Sequence, residues 1–112
     1  MGKSKRIEKE TKRLLTLFKD IPSGRKSLVQ GLIKRASYML VTLEVFEADI
    51  DEFGYVEQFS QSEKLDSYER TRPVSQLYNT MNKNYQSIIK QLNDLLPVEV
   101  EKSIKDEIQE WI

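Results

Sequence analysis

A chain of 112 residues with 32% charged residues, four glycines and three prolines fits one helical domain better than a β-sandwich or a disordered chain. It contains no cysteine and no histidine, which excludes disulfides, zinc–cysteine sites, thiol nucleophiles and the commonest general base, and suits a reducing, intracellular setting. The net charge of zero conceals segregation: residues 1–35 carry eleven cations against three acids (+8), residues 36–70 two against nine (−7), and the remainder five against six (−1).

A basic arm joined to an acidic middle reads either as an electrostatic footprint for an anionic partner or as charge pairing within or between subunits. No run approaches the roughly 18 apolar residues that span a bilayer, so no membrane partner is expected. The start, Met-Gly-Lys-Ser-Lys-Arg, lacks the apolar stretch of a signal peptide, and Arg6 stands where a myristoylation signal wants Ser or Thr. A soluble chain is expected.

Residues 3–19 read as a basic helix with Ile7, Leu14, Leu15 and Phe18 on one face. Lys3, Lys5, Arg6, Lys9, Lys12, Arg13 and Lys19 cover most of the rest, and Ser4 is a candidate N-cap. A first turn of cations opposes the helix dipole, so these residues fray unless something anionic binds them. Ile21-Pro22-Ser23-Gly24 is a turn by composition, with Ser23 or Ser27 available to cap the next helix.

From about Arg25 to Phe53 the positions Leu28, Leu32, Ala36, Met39, Leu43, Phe46, Ile50 and Phe53 follow steps of four and three. Val29, Ile33, Leu40 and Val41 widen this stripe toward a second face, which calls for more than one neighbour. Gly31 within the helix marks close packing or a bend, and Gly54 is the stop. Residues 55–71 lose the helical period. Short strands at Tyr55–Phe59 and Lys64–Tyr68 would make a hairpin, with an irregular loop as the alternative.

The stretch Arg72–Pro97 has the clearest seam: Val74, Tyr78, Met81, Tyr85, Ile88, Leu92 and Leu95, with Pro73 suited to the first turn and Pro97 to the stop. Residues 98–112 read as a short amphipathic helix ending on Trp111 and Ile112, which either dock on the core or contact a protein partner. The expectation is therefore a mainly α protein in a single unit over 1–112. A basic arm (1–21), a helical-hairpin core (25–97) interrupted at 55–71, and a C-terminal helix (98–112) make it up. The wide stripe and the apolar end further predict a homo-oligomer.

Catalytic machinery is poorly supplied. No nucleophile–base set, phosphate loop or metalloprotease motif is present, so no catalytic residue, cofactor or metal site is assigned and the chain is expected not to be an enzyme. Asp49, Asp51 and Glu52 begin like a calcium loop, but Phe53 and Ser60 fall where ligands belong. Glu44, Glu47 and Asp51 share a helical face and read as a solvated acidic surface before a cation site. The amides Asn79, Asn82, Asn84 and Gln86 read first as structural.

The basic arm is the stronger signal. Lys3, Lys5, Arg6, Lys9, Lys12, Arg13, Lys19, Arg25 and Lys26 are the candidate DNA-binding residues, through phosphate contacts that carry little base specificity. A basic amphipathic helix is equally suited to a membrane surface or a protein groove.

The run Arg72-Pro73-Val74-Ser75-Gln76-Leu77-Tyr78-Asn79-Thr80-Met81-Asn82-Lys83-Asn84-Tyr85, with Ile89-Lys90-Gln91-Leu92-Asn93-Asp94-Leu95-Leu96-Pro97, resembles small phage and prophage proteins of Gram-positive bacteria related to terminase small subunits. The likeness spans roughly residues 28–97. It implies a non-enzymatic DNA-packaging role in the cytoplasm of a bacterial host, with DNA, a large terminase subunit and further copies of the chain as partners. The chain departs from that pattern in being short and in having no readable DNA-recognition domain. A helical adaptor or host-directed phage protein working through protein contacts is the alternative.

Overall fold

The computed structural model describes residues 2–96. Three helices, α1 (Lys3–Leu17), α2 (Lys26–Phe53) and α3 (Pro73–Asp94), carry the chain, with strands β1 (Val56–Phe59) and β2 (Tyr68–Thr71) between the last two. The expected mainly α architecture is present, and the segment at 98–112 lies outside the described residues.

α1 is capped by Gly2 without any side-chain hydrogen bond, so Ser4 lies inside the helix and does not cap it. Pro22 has no N–H to continue a helix, and its carbonyl instead accepts from Arg25 N at 2.9 Å in a single 3-10 turn, Ser23–Arg25. α2 therefore starts from Arg25, and neither Ser23 nor Ser27 caps it. At its far end Gly54 takes φ +90°, a conformation that favours glycine, while its N–H closes onto Ile50 O at 2.8 Å. Pro73 occupies the first turn of α3, and Arg72 O receives the N–H of Ser75 at 2.9 Å.

Both flanking helices run antiparallel to α2. On α1, Arg6 pairs with Glu44 at 3.1 Å near one end, while Leu14 and Phe18 pack with Val29 and Ile33 at the other. On α3, the Tyr78 hydroxyl donates to Glu47 at 2.7 Å, and the Arg25 guanidinium donates to Leu95 O at 3.1 Å. Leu14, Phe18, Ile21, Val29, Ile33, Ala36, Leu92 and Leu96 form the core where the three helices meet. Ile33 and Leu92 are completely buried, each stabilising the fold by roughly 1.5–3 kcal/mol relative to exposure.

The burial of α2 corrects the weighting of its two stripes. Val29, Ile33 and Val41, from the flanking stripe, are buried, whereas Leu28 and Phe53, which open and close the main stripe, are 59% and 61% exposed. Length explains part of this. α1 has 15 residues and α2 has 28, or about 22 Å against about 42 Å. α1 starts alongside Glu44, short of the last third of α2, where Val45 and Phe53 stay exposed.

The hairpin is antiparallel with Val56 opposite Thr71 and Phe59 opposite Tyr68. Its second strand begins where the expected Lys64–Tyr68 strand ends, a shift of about one strand length toward α3. Cross-strand chemistry sets this register. It stacks Phe59 edge-on to Tyr68 at 6.0 Å and pairs Glu57 with Arg70 at 2.9 Å, with the Arg70 guanidinium over Phe59. Residues 60–67 form the loop instead, where Ser60 Oγ donates toward Ser62 O and Leu65 O.

Arg72 fixes the base of the hairpin to the helices. Its guanidinium donates to Gly54 O and to Asp49 Oδ1, both at 2.7 Å, and its N–H donates to Tyr55 O at 3.0 Å. The buried Ser75 hydroxyl donates to the same Tyr55 carbonyl at 2.9 Å.

Candidate nucleic-acid interface

Helical geometry sorts the cations of α1 into two groups. Lys5, Lys9 and Lys12 recur at steps of four and three, on the face opposite Ile7, Leu14 and Phe18. All three are exposed, and Lys19, just past the helix end, is exposed as well. Among the described residues, their one acidic neighbour in an ion pair is Glu8, 3.5 Å from Lys12, with both side chains open to water. Such a contact is weak and easily exchanged. The result is a ridge of lysines on the outer surface of the molecule.

The remaining predicted cations are engaged in the fold. Arg6 holds Glu44, and Lys3 lies 4.5 Å from the centre of the Tyr38 ring. Arg13 binds Glu10 with its Nη2 at 2.6 Å, and Arg25 donates to Leu95 O. Lys26 is exposed at the start of α2, where it lines one cleft with Lys19. The structure thus brings Lys5, Lys9 and Lys12 together, with Lys19 extending them, and turns Lys3, Arg6, Arg13 and Arg25 to structural use. Trp111 and Ile112, the candidate protein-binding residues, lie outside the described residues.

The apolar face of α1 is used up against α2, where Leu14 and Phe18 are buried. An interfacial membrane helix needs that face free to enter the acyl boundary, so the ridge suits a water-soluble polyanion better than a bilayer. Among the described residues, no helix is long and apolar enough to cross a membrane.

A second surface lies at the opposite end of α2. Tyr55, Val56, Leu65, Tyr68 and Leu77 are all exposed there, together with Phe53. Acidic residues surround them: Asp51, Glu52, Glu63, Asp66 and Glu69 are exposed too. Glu44, Glu47 and Asp51, which read as a solvated acidic face, lie on the one helix α2. Glu44 pairs with Arg6, and Glu47 accepts from Tyr78. Among the described residues no group of acids is arranged to hold a metal ion.

That hydrogen bond to Glu47, with burial and the nearby charges of Glu47 and Asp51 adding to it, holds the Tyr78 phenol above its ordinary ionisation range. Tyr85 is raised as well, chiefly by burial against the core. Asn79, on the amide face, donates to the Tyr55 hydroxyl and so ties α3 to the hairpin root.

Sequence reasoning missed Tyr38 as a seat for Lys3 and Arg72 as the clamp of the hairpin. Neither carries a motif, because each depends on a residue far along the chain. The chain matches no protein-family model, no curated protein and no solved structure.

Proposed function

We propose that the chain is a non-enzymatic DNA-packaging factor of the terminase-small-subunit kind, which holds the DNA backbone through the lysine ridge of α1. The observation that carries the reading is the ridge itself: Lys5, Lys9 and Lys12 on one exposed face, with Lys19 beyond them. Lysines contact phosphates as point charges and read no sequence. DNA binding is accordingly nonspecific, and the choice of packaging site falls to partners such as a large terminase subunit. The sequence likeness over residues 28–97 supports the packaging role.

A random-sequence duplex labelled for fluorescence anisotropy tests this. Wild type binds at low salt and releases as salt rises, and Lys5→Ala/Lys9→Ala/Lys12→Ala binds far more weakly at every salt concentration. Equal affinity in the variant removes the ridge as the site. A second reading, a protein-binding adaptor, rests on the exposed apolar residues at the acidic hairpin end. It gains if the wild-type chain shows no salt-sensitive affinity for DNA.

A further inference from the structure

α2 has a further face that α1 and α3 leave open. Leu28, Gly31, Arg35 and Tyr38 recur there at steps of three and four, turned away from the buried Val29, Ile33 and Ala36. All four are exposed, Leu28 at 59% and Tyr38 at 51%. A cleft of about 350 Å³ opens along this face, with Tyr38, Met39 and Ile88 as its apolar wall and Lys34 and Arg35 on its rim. Among the described residues neither cation is within ion-pair distance of a carboxylate. Gly31 keeps the face low, and a Cβ built there meets nothing within 4 Å.

We infer that residues 98–112 of the same chain cover this face as a further helix, running alongside α2 with Ile104 and Ile108 at the cleft and Trp111 beside Tyr38. The end of the described chain lies where such a segment must begin. Leu96 is buried in the core, and Leu95 O accepts from Arg25, one helical turn before Leu28. Pro97 has no N–H with which to extend α3. The lengths agree: as a helix, Val100 to Trp111 spans ~17 Å against ~15 Å from Leu28 to Tyr38. The charges agree as well, since the segment carries five acids against two lysines. On a helical wheel Glu101 and Glu107 border the stripe of Val100, Ile104, Ile108 and Trp111, while Lys102 and Lys105 fall toward its far side. The acids thus meet Lys34 and Arg35. A short link to the buried Leu96 holds the segment at an effective concentration on the order of millimolar, ahead of any free partner.

Trp111 and Ile112 then close the fold instead of meeting a partner. The exposed apolar residues at the hairpin end remain for that role.

Trp111 is the single tryptophan, so its fluorescence reads the contact in the full chain. Wild type emits to the blue of its urea-unfolded form and resists acrylamide quenching, equally at low and at high protein concentration. Gly31→Glu/Arg35→Glu alters two exposed positions, and its emission moves to that of the unfolded chain while urea unfolding followed by circular dichroism stays cooperative. Ile104→Asp/Ile108→Asp gives the same shift from the other side of the contact. A wild-type emission equal to that of the unfolded chain overturns the inference. So does a blue shift that appears only as concentration rises, which assigns the face to a second copy. A blue shift that persists in either variant seats Trp111 elsewhere and overturns it too.

Discussion

Replacing Arg72 by Ala removes the clamp that joins the hairpin to both long helices. The lost side chain made two charge-assisted hydrogen bonds at 2.7 Å, to Gly54 O at the end of α2 and to Asp49 Oδ1 one turn earlier. A hydrogen bond to a charged group is worth about 1.5–3 kcal/mol when sheltered. The Asp49 side chain is 38% exposed, so water screens that pair to about 0.5–1 kcal/mol. Gly54 is exposed as well, which places its bond at the lower end of the range. The sum is about 2 kcal/mol. Urea unfolding of Arg72→Ala followed by circular dichroism should show that loss with an unchanged m-value. Arg72→Lys should recover less than half of it, because one ammonium cannot span the fork between Gly54 O and Asp49. A loss below about 0.5 kcal/mol for Arg72→Ala, or full recovery by Lys, would refute the reasoning.

Two further outcomes follow from the interior. Thr42 is buried and its Oγ1 has no hydrogen-bond partner among the described residues, so Thr42→Val, which keeps the shape and removes the unmet hydroxyl, should raise stability by about 1 kcal/mol in the same urea assay. Tyr85 and Tyr78 are both raised above the ordinary phenol value of 10.0. Their neutral forms are favoured by folding, so that contribution is complete below pH 10.0 and is lost as pH climbs through the raised folded values. In an alkaline absorbance titration Tyr85→Phe should delete a late component.

The punctuation of the fold was legible because it depends on single residues. Gly54 at φ +90° and Pro73 at the first turn act through their own backbones, and both stand where the sequence puts them. The seam of α3 was legible for a related reason: Val74, Tyr78, Met81, Tyr85, Ile88, Leu92 and Leu95 form a single stripe, and each is buried or half-buried. α2 was harder, since both of its stripes are apolar and periodicity cannot tell which faces α3 and which is left open by the shorter α1. The second strand was misplaced because its register is set by pairs such as Glu57–Arg70 and Phe59–Tyr68, which no local pattern announces. Of the site, the abundance of cations was plain, but their division was not. Only the fold shows Arg6 turned to Glu44 and Lys3 to Tyr38 while Lys5, Lys9 and Lys12 stay outward.

The claim at the centre of this account is that the lysine ridge binds the DNA backbone, and the salt dependence of DNA affinity tests it most directly. Each phosphate contact contributes about −0.9 to the slope of log K against log salt, so a ridge of Lys5, Lys9, Lys12 and Lys19 predicts a slope near about −3.6. Removing Lys5, Lys9 and Lys12 should bring it to about −0.9 with the affinity falling in step. An unchanged slope in that variant, or a wild-type chain without salt-dependent binding, would contradict the account.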